Sequence, residues 1–378
     1  MRIRYILIWL GALCMFLEDF PVFGQENKKF LWSGVIRTRM QGDYQNNKRA
    51  ENRFMHGFRL TGTLLLSDKI DVRARLKSGS ASSIASSGWM TFGDMFANEN
   101  VTLGWVYVRL RLNPKLTLMT GKFPSPFFRP TQLVMDNDVS PEGFAQQFLI
   151  KENDSGSFQL NFGQFMINQV TSPVKDLDKT YFLGGQAVAH FKGPQRSQTF
   201  AIGYYSVTGA DSLFAAQNLR ASPLIKAANS NRANDNHTGY LSRFRIINLS
   251  AQLSQIINGH PWKLSADYVY NMGAKNMKQG ITGLLTYGSM SKVGGNQGGI
   301  QIFFIEQDAT IATFSNVDYT QTNSRGIGFL FGRHLINKMK MDIALYSRKY
   351  DSPKTLISPT NNNAWRTRFR IVFSFQLN

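Results

Sequence analysis

Along most of the chain, apolar and polar side chains alternate one by one. In the last segment, Trp365, Thr367, Phe369, Ile371, Phe373, Phe375 and Leu377 share one face, and Arg366, Arg368, Arg370, Val372, Ser374 and Gln376 share the other. A period of two predicts a β-strand, because successive side chains leave a strand on opposite faces. The pattern returns in Phe30–Met40, where Phe30, Trp32, Ile36 and Met40 oppose Arg37 and Arg39. It returns again in Arg53–Leu66, where Phe54, Phe58, Leu60 and Leu64 oppose Arg53, Arg59, Thr61 and Thr63. Beyond Ser67-Asp68-Lys69, Ile70, Val72, Ala74 and Leu76 oppose Asp71, Arg73, Arg75 and Lys77. Two such runs around a short polar connection predict a hairpin.

Three settings fit strands of this kind: a soluble sheet, a nucleic-acid-binding sheet, and a barrel with its apolar face in lipid and its arginines in a wet lumen. The connections favour the third. Short ones fall at Ser67–Lys69, Asn113–Lys115, Lys151–Gly156, Lys192–Ser197, Ile257–Trp262, Glu306–Asp308 and His334–Lys338. Long ones fall at Gly79–Asn100, Phe123–Glu142, Gly209–His237 and Gly273–Gly294. Short turns at one end and long loops at the other are the layout of an outer-membrane barrel. Strands are expected to start near Phe30, Arg53, Lys69, Val101, Lys115, Gly143, Ser157, Thr180, Gln198, Thr238, Lys263, Gly295, Ala309, Asn323, Met339 and Ala364. The expected fold is all-β: a transmembrane antiparallel up-and-down β-barrel of about 16 strands, with 14 or 18 as the neighbouring counts. Trp32, Trp105, Tyr107, Tyr204, Tyr205, Tyr268, Tyr270, Tyr346 and Trp365 sit at strand ends, where interfacial aromatic girdles are expected.

The N-terminus adds a location. Arg2 and Arg4 precede an apolar run from Ile6 to Leu17, too short to span a bilayer as a helix, and Val22-Phe23-Gly24 precedes Gln25. This predicts a signal peptide over residues 1–24 and a single barrel domain over 25–378. Cys14, the one cysteine, would leave with the signal, so no disulfide is expected in the exported chain. The formal net charge of +19 asks for an anionic partner. Export argues against nucleic acid. It leaves outer-membrane lipid, lipopolysaccharide and small anionic or neutral solutes.

Three segments carry a resemblance. Gly121–Ala145 (GKFPSPFFRPTQLVMDNDVSPEGFA) resembles the stretch after an early strand in the bacterial "putative porin" family of outer-membrane proteins. Lys263–Asn271 (KLSADYVYN) resembles a later strand of that family, and Phe314–Lys349 resembles its penultimate hairpin. The resemblance implies a porin-like barrel in the bacterial outer membrane.

Barrel closure sets the last strand beside the first, so Arg366, Arg368 and Arg370 are expected near Arg37 and Arg39. Next come Arg59, then Arg73, Arg75 and Lys77, then Arg109 and Arg111. Like charges this close would be costly in a dry core, so the expected basic wall implies water or anions between its members. Arg- or Lys-lined pores favour anions. Residues 123–142 are expected to form a loop that folds into the lumen, where Asp136, Asp138 and Glu142 would face the arginines. The competing reading leaves these acids solvated outside.

Signals for chemistry are lacking in the sequence. Pro141 stands where a calcium loop of the EF-hand type needs glycine. The five histidines show no H-E-x-x-H spacing, and no G-x-S-x-G elbow occurs. No catalytic residue, metal site or cofactor is assigned. The expected function is passive diffusion of small hydrophilic solutes with a preference for anions. The alternative is a barrel-anchored surface binding or adhesion protein with basic external loops. A homotrimer is compatible with a barrel of this strand number.

Overall fold

The computed structural model describes residues 29–45, 49–79, 88–93, 99–168, 179–219, 230–236, 238–316, 318, 322–350 and 365–377. The predicted signal segment lies outside them. The strands are β1 (Lys29–Gln45), β2 (Glu51–Leu65), β3 (Ile70–Ser78), β4 (Met90–Thr91), β5 (Val101–Asn113), β6 (Leu116–Lys122), β7 (Glu142–Asn153), β8 (Gly156–Asn168) and β9 (Thr180–Lys192). They continue with β10 (Arg196–Thr208), β11 (Phe244–Ile257), β12 (His260–Asn271), β13 (Gln279–Gly288), β14 (Asn296–Ile305), β15 (Ser324–Ile336), β16 (Met339–Tyr350) and β17 (Arg366–Gln376). One helix, α1 (Ala210–Leu219), follows β10. No helix among the described residues is long and apolar enough to cross a membrane.

Every strand pairs antiparallel with its neighbours, and β1 pairs with both β2 and β17, so the sheet closes on itself. The two-residue β4 pairs with β2 at Met55 and His56, beyond the β2 residues that pair with β3. The wall is therefore a closed antiparallel barrel of sixteen long strands. The short connections share one end of the barrel. At Ile257-Asn258-Gly259-His260 the turn is two residues long, with Asn258 at φ 51° and Gly259 at φ 74°, as a tight twisted hairpin requires.

Alternation now has a physical meaning. The outer surface carries Phe144, Phe200, Ile202, Leu249, Ile281, Ile302 and Phe329, all exposed. A soluble protein rarely leaves so much contiguous apolar surface in water, whereas lipid accepts it. The buried core lies inside the barrel, where Phe123, Phe127, Phe165, Phe182, Tyr205 and Phe314 form one cluster.

The structure corrects three sequence expectations. No strand starts at Ala309. The described residues between β14 and β15 include a 3-10 turn at Ala312–Phe314 and no strand, so Glu306–Asp308 is not a tight turn between strands. Ile311 and Phe314 look strand-like because both are apolar, but they are buried in the interior cluster. Conversely, Gly273–Gly294 contains β13, whose Leu284-Leu285 pair and glycines blur its alternation. The strand expected at Thr238 starts at Phe244.

The aromatic girdle is also revised. Tyr204 is 45% exposed on the outside, while its neighbour Tyr205 is 1% exposed inside. Tyr107 and Tyr346 are likewise buried, and Trp105 lies beneath Arg75. Trp32 and Trp365 keep the expected outward position.

Candidate functional site

The inner faces of β16, β17, β1, β2, β3 and β5 carry the basic residues. Register decides how they meet. Arg370 lies opposite Gln41, Arg368 opposite Asp43 and Arg366 opposite Gln45, while Arg37 and Arg39 lie opposite Ser374 and Val372. The arginines of the last and first strands are thus staggered rather than face to face, which avoids like charges in directly paired positions. On the next pair, Arg59 lies opposite Lys77, and Arg75 lies opposite Thr61.

Four carboxylates meet this wall. Asp43 accepts from Arg53 at 2.8 Å and from Arg368 at 2.6 Å. Asp71, fully buried, accepts from Arg73 at 2.8 Å and from Arg109 and Arg111 at 2.7 Å each. Asp138 pairs with Arg59. Asp318 accepts from Arg370 at 2.7 Å on both oxygens, and Arg348 donates to its backbone carbonyl. Burial works against the Asp318 charge, but Arg370, Arg368 and Arg39 outweigh it and hold the pKa down at about 2.

Aromatic rings orient several guanidinium groups. The Arg75 group lies 3.4 Å from the Trp105 ring centroid, and Arg75 also donates to Thr61 at 3.0 Å. Arg37 and Arg39 lie 4.4 and 5.3 Å from the Trp89 ring. Arg366 stacks on Tyr350 at 4.4 Å and donates to its hydroxyl at 3.1 Å. Stacking on an electron-rich face stabilises the cation and fixes its plane.

The segment after β6 is tied to inward-facing side chains far along the sheet. Phe123 is buried against Tyr107 and Phe165, and Phe127 packs on Phe165 and on Tyr205 at 5.0 Å. Gly184 makes this approach possible, since a Cβ there would lie 2.6 Å from the Phe127 ring. The backbone of Phe128 exchanges two hydrogen bonds with the Gln186 amide, at 2.7 and 3.0 Å. Thr131 donates to Asp267 on β12 through its N–H at 3.0 Å and also through its hydroxyl. The Asp136 N–H donates to the Phe314 carbonyl at 2.6 Å, which links this segment to residues 306–323.

The three acids expected at this segment are therefore placed differently from one another. Asp138 faces Arg59. Asp136 is buried and accepts from the Asp138 N–H at 2.8 Å. Burial raises its pKa to about 6, and the nearby Asp138 and Asp318 charges push the same way. Glu142 pairs with Lys122 at 2.6 Å, at the foot of the segment. The adjoining Arg129 donates to the Met135 and Asp136 carbonyls, and burial lowers its pKa to about 10.

Sequence reasoning missed Asp318 and Asp43 as partners of the basic wall. Asp43 sits on the inward face of β1 in line with Arg37 and Arg39, so alternation carried a signal for it. Asp318 had none, because it lies between β14 and β15, outside any alternating strand.

The sequence profile of the family described as "Putative porin" matches residues 27–217. No curated protein matches this sequence. Among solved structures, the chain is similar to a Salmonella typhi OmpF in complex with daunomycin. That match has 9% identity and a TM-score of 0.52, and covers 92% of this chain and 98% of the other. It is also similar to the trimer form of OmpT, an outer membrane protein of Vibrio cholerae, at 10% identity and a TM-score of 0.50, covering 92% and 99%. At such identities the likeness concerns the fold: a closed barrel of the porin kind. Family and fold together support a porin channel. With more than half of its length matched, the chain belongs to the putative porin family.

Proposed function

We propose that this barrel is a channel for passive diffusion of small hydrophilic solutes and that it favours anions. The observation that carries the proposal is a charge imbalance. The eleven basic side chains named from the sequence, from Arg37 to Arg370, outnumber the carboxylates set against or near them: Asp43, Asp71, Asp138 and Asp318, with Asp136 beside Asp138 and Asp342 near Arg370. An excess of fixed positive charge along a pore wall raises the local concentration of anions and lowers that of cations.

Solutes would pass between this wall and residues 123–141, which the proposal assigns as the constriction. Its attachments to Gln186 and Asp267 hold it away from its own strands, and Asp138 sets a negative charge across from the basic wall. The resulting transverse field would order dipolar solutes. The outer face would sit in lipid, with lipopolysaccharide at its external rim. The OmpT structure is of a trimer form, and the proposal extends a homotrimer to this chain.

The test is the triple variant Arg59→Gln/Arg75→Gln/Lys77→Gln in planar bilayers under a KCl gradient. It should move the reversal potential toward the potassium side relative to wild type. An unchanged reversal potential would show that this wall does not set selectivity.

A further inference from the structure

Two segments that enter the barrel from different parts of the ring each set one carboxylate on the basic wall. Residues 306–323, between β14 and β15, bring Asp318 to Arg370; the segment between β6 and β7 brings Asp138 to Arg59. The two placements differ in grip. Asp318 is held on both oxygens by Arg370, with Arg368 at 3.8 Å and its backbone carbonyl taken by Arg348, and its side chain is 10% exposed. Asp138 meets a single guanidinium nitrogen of Arg59, and its side chain is 23% exposed.

The surroundings of Asp138 are strongly basic. Arg37, Arg75 and Lys77, together with Arg59, all lie within electrostatic range of it. One carboxylate therefore sits among four cations. Trp89 and Trp105 hold the faces of Arg37 and Arg75, and a guanidinium stacked by its face keeps its N–H groups in the edge, where an oxygen ligand binds.

We propose that Asp138 occupies an oxyanion-binding site formed by Arg37, Arg59, Arg75 and Lys77, from which a passing carboxylate or phosphate group displaces it. The inference rests on the channel reading above and names the solute class for that lumen. Asp138 is a tethered competitor: its loop keeps its carboxylate at a high effective concentration beside the site. An oxyanion then binds weakly enough to leave again, as conduction requires. Asp318, doubly held and more buried, is the fixed counterpart that anchors its loop.

The experiment records single channels of the protein in planar bilayers in KCl while inorganic phosphate, and separately succinate, is titrated. The readout is the concentration that halves the chloride current. In Asp138→Asn this concentration should fall about tenfold or more, because the internal competitor is gone. Glu142→Gln removes the same unit of charge at the foot of the loop and should shift it by less than about twofold, since screened charge outside the cluster acts weakly. Arg59→Gln in either background should raise it. A gain for phosphate alone identifies a phosphate site, a gain for succinate alone a carboxylate site, and a gain for both the shared oxyanion site. Conducting Asp138→Asn channels with unchanged or weaker block would overturn the proposal, as would an equal gain in Glu142→Gln. Inserted wild-type barrels without current would sink the channel reading itself.

Discussion

Arg370 on the last strand donates to both carboxylate oxygens of Asp318 at 2.7 Å, pinning residues 306–323 to the wall where the barrel closes. Removing the carboxylate leaves Arg370 in the interior without its partner, while the Arg348 bond to the Asp318 backbone carbonyl stays. Asp318→Asn should destabilise the barrel by about 3 kcal/mol, as loss of one partner of a buried pair does. The temperature at which the folded barrel loses its SDS-resistant electrophoretic mobility measures this. Arg370→Met in the Asp318→Asn background should recover part of the loss. The sign of the pH effect follows from the depressed pKa. The contribution of Asp318 is present above the ordinary carboxylate range and is lost only as pH falls through about 2.

Asp136 behaves in the opposite sense. Burial raises its pKa to about 6, so its neutral form is the favoured one, and its contribution to stability is greatest below the ordinary carboxylate value and is lost as pH rises through about 6. Protonation also removes one negative charge from the loop beside the basic wall. The ratio of chloride to potassium permeability should therefore rise as pH falls from 7 to 5. Asp136→Asn should flatten this step, which reversal potentials at several pH values would show.

Asp71 is the common partner of Arg73, Arg109 and Arg111 and is fully buried. Asp71→Asn would leave three cations close together without their counter-charge. A loss of about 3–5 kcal/mol is expected. Added chloride or phosphate should offset part of it by screening the repulsion among the three arginines. Thermal unfolding in low and high salt compares the two conditions directly.

Gly184 is a steric prerequisite for the position of residues 123–141. A Cβ at this site would lie 2.6 Å from the Phe127 ring and 2.9 Å from the Tyr205 ring. Gly184→Val should cost about 1–3 kcal/mol through overpacking. It should also release Phe127 from the inner wall, so that single-channel conductance rises. Unchanged conductance would show that this contact does not position the loop.

The barrel itself was legible because its signal is repeated. Each of many strands alternates, and the alternation of Arg37 and Arg39 with Ile36 and Met40 follows directly from the two-sided environment of β1. What the pattern lacked was a way to tell a strand from an apolar segment buried inside the barrel. Ile311 and Phe314 belong to the buried cluster inside the barrel, and a short stretch with apolar residues at 309, 311, 312 and 314 does not by itself tell a strand from such a segment. In β13 the reverse holds, since Gly280 and Gly283 carry no side chain and Leu284 puts an apolar residue in the inward row of Thr282 and Thr286. The expected strand number was right although one strand was added and another omitted. The candidate site was legible as charge and not as pairing. The inward arginines are read from parity, but Asp318 reaches Arg370 across 52 residues, and Thr131 reaches Asp267 across 136, contacts that no local pattern encodes.

The central claim is that fixed positive charge on one wall selects anions. The most direct test is the reversal potential of the wild-type protein in a planar bilayer under a KCl gradient at neutral pH. A potential displaced toward the chloride equilibrium value is the predicted result. A potential displaced toward the potassium value would contradict it, since the basic wall could not then be the selecting element.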